Sequence, residues 1–133
     1  MNIGVLEDNP AILDYMTIAL EMAGHHVQTF TSSTPLIDRL LTNSEIYGPL
    51  PYDVIVVDLL LPGSMSGFEA IKHIQRSIPL SRLPVIIITA KAQSIDRVLG
   101  LHIAKVDDYI TKPFSPSELL TSVRKVIANA QSA

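Results

Sequence analysis

The stretch VIVVDLLLPGSMSG, Val54 to Gly67, holds one acid, Asp58, between apolar residues and a Pro-Gly turn. Other polar groups end short strand-like runs in the same way: Glu7-Asp8 comes after IGVL, Thr89 ends VIIIT, and Lys112 follows DYIT. Three carboxylates brought into one crevice would repel, so either one keeps its proton or a cation neutralises them. Magnesium, or manganese with the same preference for oxygen donors, suits that role. It keeps several waters and takes one or two carboxylates plus phosphate oxygens rather than a full protein cage. Lys112 would then serve as a point charge for a phosphate and the Thr89 hydroxyl as a hydrogen bond to one of its oxygens. An aspartate flanked by a metal and a lysine can accept a phosphoryl group.

The elements that must position these groups read as repeated βα units. Ile3 to Leu6 is a buried-strand run. It leads into a segment where Ile12, Met16, Ala19, Leu20 and Ala23 share one helical stripe, with Pro10 in the first turn and Gly24 closing it. His26 to Phe30 is a second strand, and Leu36, Ile37, Leu40 and Leu41 mark a short helix. After the polar stretch Thr42 to Pro51 come the strand Val54 to Val57, a helix carrying Phe68, Ile71, Ile74 and Ile78, and the strand Val85 to Thr89. Ile95, Val98 and Leu99 mark a weaker fourth helix. Asp108 to Thr111 is the last strand, and Leu119, Leu120, Val123 and Ile127 give the fifth helix its buried face. Five strands alternating with five helices predict an α/β fold, a doubly wound parallel sheet covered on both faces. For the flavodoxin-like order 2-1-3-4-5, ligands bind beyond the carboxyl ends of the strands, between strands 1 and 3. That is the edge to which Glu7, Asp8, Asp58, Thr89 and Lys112 belong.

Composition narrows the function classes. The 133 residues, 47% hydrophobic and 17% charged, suffice for one core and not two ordinary domains. A net charge of -3 offers no electrostatic footprint for nucleic acid or an anionic membrane. The absence of cysteine excludes a disulfide framework and a thiolate metal site, and it suits a cytoplasmic setting. No signal-peptide pattern or membrane-length apolar run is visible. His25, His26, His73 and His102 have no ligand spacing, so no metal role falls to them. The bland reading of Asp58 as a helix cap is weak, because Leu59-Leu60-Leu61 follows it rather than a helix start.

Glu7-Asp8, Asp58 with Pro62, Thr89-Ala90, and DDYITKPF from Asp107 to Phe114 together resemble the receiver domains of two-component response regulators. The resemblance implies that Asp58 is the phosphoacceptor and that Glu7 and Asp8 are the acidic pair for magnesium, with the Leu60 backbone carbonyl completing the protein ligands. It implies phosphate contacts from Thr89, Ala90 and Lys112, a switch pair in Thr89 and Tyr109, and a cis Lys112-Pro113 peptide. It also implies a sensor histidine kinase or phosphotransfer protein as donor, and a downstream protein, an output domain or a second copy of the chain as reader. Such a domain catalyses only its own phosphorylation and dephosphorylation. Leu60 and Lys91, two residues after Asp58 and Thr89, would flank the path of hydrolytic water, and Leu60 cannot hydrogen-bond it. The expected readout surface is the fourth helix, fifth strand and fifth helix, where Arg97 and Lys105 on one side and Asp107 and Asp108 on the other offer complementary charges to a second copy or an output module.

The chain departs from the family pattern in three places: PGSMSG is one residue longer, Lys105-Val106 replaces a Gly-Ala pair, and Thr42 to Pro51 is long. An aspartyl-nucleophile phosphatase would share the sheet and magnesium, but it needs a second acid where Leu60 stands. A flavin carrier would meet an acidic loop after strand 1 that repels its phosphate. Residues 1–129 are expected to form the receiver unit. Residues 130–133 read equally as a terminus or the start of a linker to a DNA-binding or enzymatic output domain.

Overall fold

The computed structural model describes residues 1–41, 49–59, 66–90 and 106–131. Its five strands are β1 (Asn2–Leu6), β2 (His26–Phe30), β3 (Val54–Asp58), β4 (Val85–Thr89) and β5 (Asp108–Thr111). They form one sheet in the order β2-β1-β3-β4-β5, and every neighbouring pair is parallel. Four helices stand among the described residues: α1 (Pro10–Met22), α2 (Ser33–Leu41), α3 (Gly67–Gln75) and α4 (Pro116–Gln131). The helix expected over Ile95, Val98 and Leu99 lies outside the described residues, so α4 is the fifth helix of the sequence reading. Most of the Thr42 to Pro51 stretch lies outside them too.

Period-2 alternation splits the core in two. Ile3, Val5, Val54, Val56, Ile86, Ile88 and Ile110 face one side and pack with Leu13, Met16 and Leu20 of α1 and Leu119, Val123 and Val126 of α4. Leu6, Ile55, Val57, Val85 and Ile87 face the other side, against Leu36, Ile37 and Leu40 of α2 and Ala70, Ile71 and Ile74 of α3. The three inner strands are buried on both faces, as continuous apolar runs require. The edge strands β2 and β5 are more exposed, because each has a single neighbour and less helical cover. Half of an edge strand's backbone groups need no partner strand when water can reach them.

The helix ends follow local chemistry. Pro10 takes the first position of α1, where its missing N–H costs nothing, and the Asn9 side chain accepts from the N–H groups of Ala11 (2.9 Å) and Ile12 (3.2 Å). Gly24 closes α1 with φ of 93°. Ser66 caps α3 by accepting from the Glu69 N–H at 3.2 Å. Ser115 and Glu118 form a reciprocal capping box at the start of α4. No helix among the described residues is long and apolar enough to cross a membrane.

Candidate functional site

Strand phase carries three groups to one place. Glu7 continues the alternation of Ile3 and Val5, Asp58 that of Val54 and Val56, and Lys112 that of Ile110, all on the α1/α4 side of the sheet. Parallel registers align β1 with β3 and β3 with β4, so the strands end together at one edge. The Lys112 Nζ donates to Glu7 Oε1 at 2.5 Å and to Asp58 Oδ2 at 3.0 Å. Glu7 is fully buried and Asp58 nearly so, whereas 17% of the Lys112 side chain is exposed. The lysine thus reaches two buried acids from the rim.

Asp8 completes the cluster. Oxygen atoms of Glu7, Asp8 and Asp58 all lie within 4.8 Å of one another, with Asp8 on the open side. Burial pushes the Asp8 carboxyl above the usual carboxylate range. Hydrogen bonding to Glu7 and the Glu7 charge act in the same direction, against weaker pulls from its own backbone N–H and from Lys112. Burial works against the Lys112 charge, but hydrogen bonds and ion pairs with Glu7 and Asp58 outweigh it and hold the ammonium above the ordinary lysine range. Lys112 therefore offsets charge on two acids while the third stays in an unfavourable field. A hard divalent cation fits this donor set, which offers oxygen atoms only and is open on the Asp8 side. The second oxygen of Glu7 accepts from the Asn9 N–H at 3.2 Å, so the residue that caps α1 also orients the buried acid.

The other expected residues stand at varying distances from this cluster. Thr89 is fully buried at the end of β4, and its backbone carbonyl accepts from the Lys112 N–H at 2.8 Å. Its strand phase is that of Val85 and Ile87, which pack on the opposite side of the sheet. Ala90 lines an apolar groove with Ala11, Ile12, Tyr15, Lys112, Pro113 and Phe114. The Lys112-Pro113 peptide is cis, as expected. Tyr109 is outside the crevice: it lies on the edge strand β5 and is 52% exposed. Leu60, Pro62, Lys91, Arg97 and Lys105 lie outside the described residues. Asp107 and Asp108 have internal partners: Asp107 accepts from the Val85 N–H at 2.9 Å, and Asp108 from Ser122 at 2.6 Å and Lys125 at 3.1 Å.

Gly67 was not foreseen as part of the site. A Cβ at this position would lie 1.8 Å from the Asp58 carbonyl oxygen, so α3 begins directly against the backbone of the acid. Its signal in the sequence was only a glycine after the turn. Tyr52 was also missed: it is buried, donates to Gln28, and its ring lies 3.0 Å from where a Gly4 Cβ would sit. It packs under the sheet, away from the carboxylates.

Residues 3–124 match the family model of the response regulator receiver domain. The chain is 35% identical over 123 residues to the transcriptional regulatory protein CreB of Escherichia coli, covering 92% of this chain and 49% of CreB. It is 36% identical over 123 residues to the phosphate regulon transcriptional regulatory protein PhoB of Escherichia coli, covering 92% of this chain and 50% of PhoB. The chain thus spans about half the length of the curated relatives it matches. The crystal structure of a CheY-like response regulator receiver domain protein from Methanospirillum hungatei has the same fold, with a TM-score of 0.80 at 23% identity over 98% of this chain and 96% of that one. With three strand-end carboxylates clustered on this sheet and Lys112 bridging two of them, the chain, matched over residues 3–124, belongs to the receiver domain family of two-component response regulators.

Proposed function

We propose that Asp58 is the phosphoacceptor of this receiver domain and that Glu7, Asp8, Asp58 and the Leu60 carbonyl hold magnesium or manganese beside it. The observation that carries the reading is the Lys112 ammonium bridging Glu7 and Asp58, with Asp8 open to a cation on the other side. Bound metal would supply positive charge for the oxygens of the transferring group. An Asp58 carboxylate oxygen attacks phosphorus, the bond from phosphorus to the donor's histidine nitrogen breaks, and the imidazole keeps the electron pair. Lys112 moves from a carboxylate oxygen of Asp58 to a phosphoryl oxygen without leaving Glu7, so its charge stays compensated throughout. The burial of Asp58 limits access of bulk water to the acyl phosphate.

In this reading residues 1–129 form the receiver unit and residues 130–133 a tail or the start of a linker. The donor is a histidine kinase or phosphotransfer protein in the cytoplasm, and the reader is a downstream protein, an output domain or a second copy of the chain. Support for an output domain comes from the relatives, which are transcriptional regulators twice as long as this chain. The chain's own chemistry is confined to gaining and losing its phosphoryl group.

The test is intact mass after treatment with a small phosphodonor. The native chain should gain one phosphoryl group in magnesium and none in chelator, and a folded Asp58→Asn chain should gain none. An unchanged mass of the folded native chain with metal present would sink the reading.

A further inference from the structure

We infer that Tyr15 is a positioning residue for Lys112, holding from outside the loop that carries the ammonium; this rests on the reading of Asp58 as phosphoacceptor. Tyr15 lies on α1, and its hydroxyl donates to the Phe114 carbonyl at 3.1 Å. The two rings meet edge to face, with centroids 5.9 Å apart at 61°. Phe114 also packs into the core between the sheet, α1 and α4.

Lys112 is two residues before Phe114. Its N–H is fixed to the Thr89 carbonyl at 2.8 Å, which registers the loop against β4 on one side. Beyond Phe114, the Ser115-Glu118 capping box fixes the start of α4. Neither anchor ties the loop to α1, whose preceding loop carries Glu7 and Asp8. Tyr15 does so twice, by hydroxyl and by ring. It sets the spacing between the acids after β1 and the lysine after β5, across which Nζ reaches Glu7 at 2.5 Å and Asp58 at 3.0 Å. Misplacing an ammonium by a fraction of an ångström weakens its grip on a transferring oxygen while the carboxylates remain in place. Tyr15 is 38% exposed and lines the apolar groove that opens beside Lys112.

The experiment follows phosphorylation by a small phosphodonor, which keeps a protein partner's contacts with the exposed ring out of the measurement. Tyr15→Phe removes the hydroxyl and keeps the ring; Tyr15→Ala removes both. At saturating magnesium the rate should fall about two- to fivefold in Tyr15→Phe, the range of one lost hydrogen bond whose carbonyl can turn to water, and about tenfold in Tyr15→Ala. The magnesium midpoint should stay where it is. The loss should disappear in a Lys112→Ala background, which a structural role or a direct contact with the donor would not produce. If Lys112→Ala leaves no measurable rate, beryllofluoride affinity at saturating magnesium carries the same cycle. Unchanged rates in both Tyr15 variants, an equal loss with and without Lys112, or a magnesium midpoint that shifts with the rate would each overturn the inference. A native chain that takes no phosphoryl group overturns instead the reading on which it rests.

Discussion

A single hydrogen atom separates Gly67 from a residue the site cannot hold. With a Cβ built 1.8 Å from the Asp58 carbonyl oxygen, Gly67→Ala must push α3 or the end of β3 aside. Backbone lies on both sides of this contact, so no side chain can swing away to relieve it. Overpacking of this kind costs about 1–3 kcal/mol. The urea midpoint of Gly67→Ala should fall accordingly, and its phosphorylation rate should fall as well because the strained backbone is that of Asp58. A midpoint equal to that of the native chain would show that the helix start yields freely. The contact also shows what single residues disclose in sequence. Asp58 was legible because an acid after VIVV breaks an apolar pattern, and Lys112 because a lysine before Pro-Phe ends a strand. Gly67 and Tyr52 were not, since what matters about each is a close approach that arises only when separate segments meet. The bond from Tyr15 to Phe114, 99 positions apart, is hidden for the same reason.

At the scale of elements, the inner strands and the stripes of α1 and the last helix were readable because periodicity survives wherever one face is buried. The edge strand β5 is short and half exposed, and side chains fasten it where packing does not. Asp108 binds Ser122 and Lys125 of α4 and, through its own carboxylate, the N–H of Tyr109. Burial alone would raise its pKa, but these partners outweigh burial and hold the carboxyl below the usual 3.8. Its neighbour is in the opposite position. Burial raises Asp107 above 3.8, with a smaller push from Asp108, and the Val85 N–H only partly offsets this. The two acids therefore bend the stability curve in opposite senses. A depressed carboxyl stabilises the fold above its unfolded pKa, and that stability is lost as pH falls through the lower, folded value. A raised carboxyl costs stability above its folded pKa, and the cost is relieved as pH falls toward 3.8. Asp108→Asn leaves one neutral acceptor oxygen where the carboxylate offers two to Tyr109, Ser122 and Lys125, so it should lower stability at neutral pH by about 1–2 kcal/mol, little of it from the largely exposed Lys125, and the deficit should close as pH falls below 3.8. Asp107→Asn keeps an acceptor for Val85 and should not lower stability at neutral pH. Urea titrations of both variants from neutral to acid pH check the signs; an Asp108→Asn deficit that persists unchanged in acid would rule out the carboxylate as its source.

On the scale of the whole molecule, the proposed phosphoryl group at Asp58 would have to be felt on a surface that a partner can read, and we propose β5 as its route. On the proposed reading, phosphorylation of Asp58 would give the Thr89 hydroxyl a new acceptor. Thr89 is buried at the end of β4, beside Thr111 in the register and bonded through its carbonyl to the Lys112 N–H, so a shift at Thr89 passes directly into β5. Tyr109, on the same strand and 52% exposed, would turn inward on the proposed switch as the threonine side chain moves toward the phosphate. Coupling of this kind is worth about 1–3 kcal/mol between two sites, enough to change partner affinity several-fold or more. The internal partners of Asp107 and Asp108 reshape the charge argument for this face. Both acids already hold groups of their own chain, so a partner seeking negative charge must compete with Val85, Ser122 and Lys125. Among the described residues, Tyr109 and the groove between β5 and α4, lined by Thr111, Glu118 and Thr121, make up the surface through which the proposed switch would act. Beryllofluoride with magnesium should therefore change amide exchange and NMR shifts from Thr89 through Ser115 and along the β5-facing side of α4, and should lower solvent access to the Tyr109 ring. Tyr109→Ala should keep the response at Lys112 and lose it along α4. Changes confined to α1 and the stretch from Thr42 to Pro51 would place the readout elsewhere on the molecule.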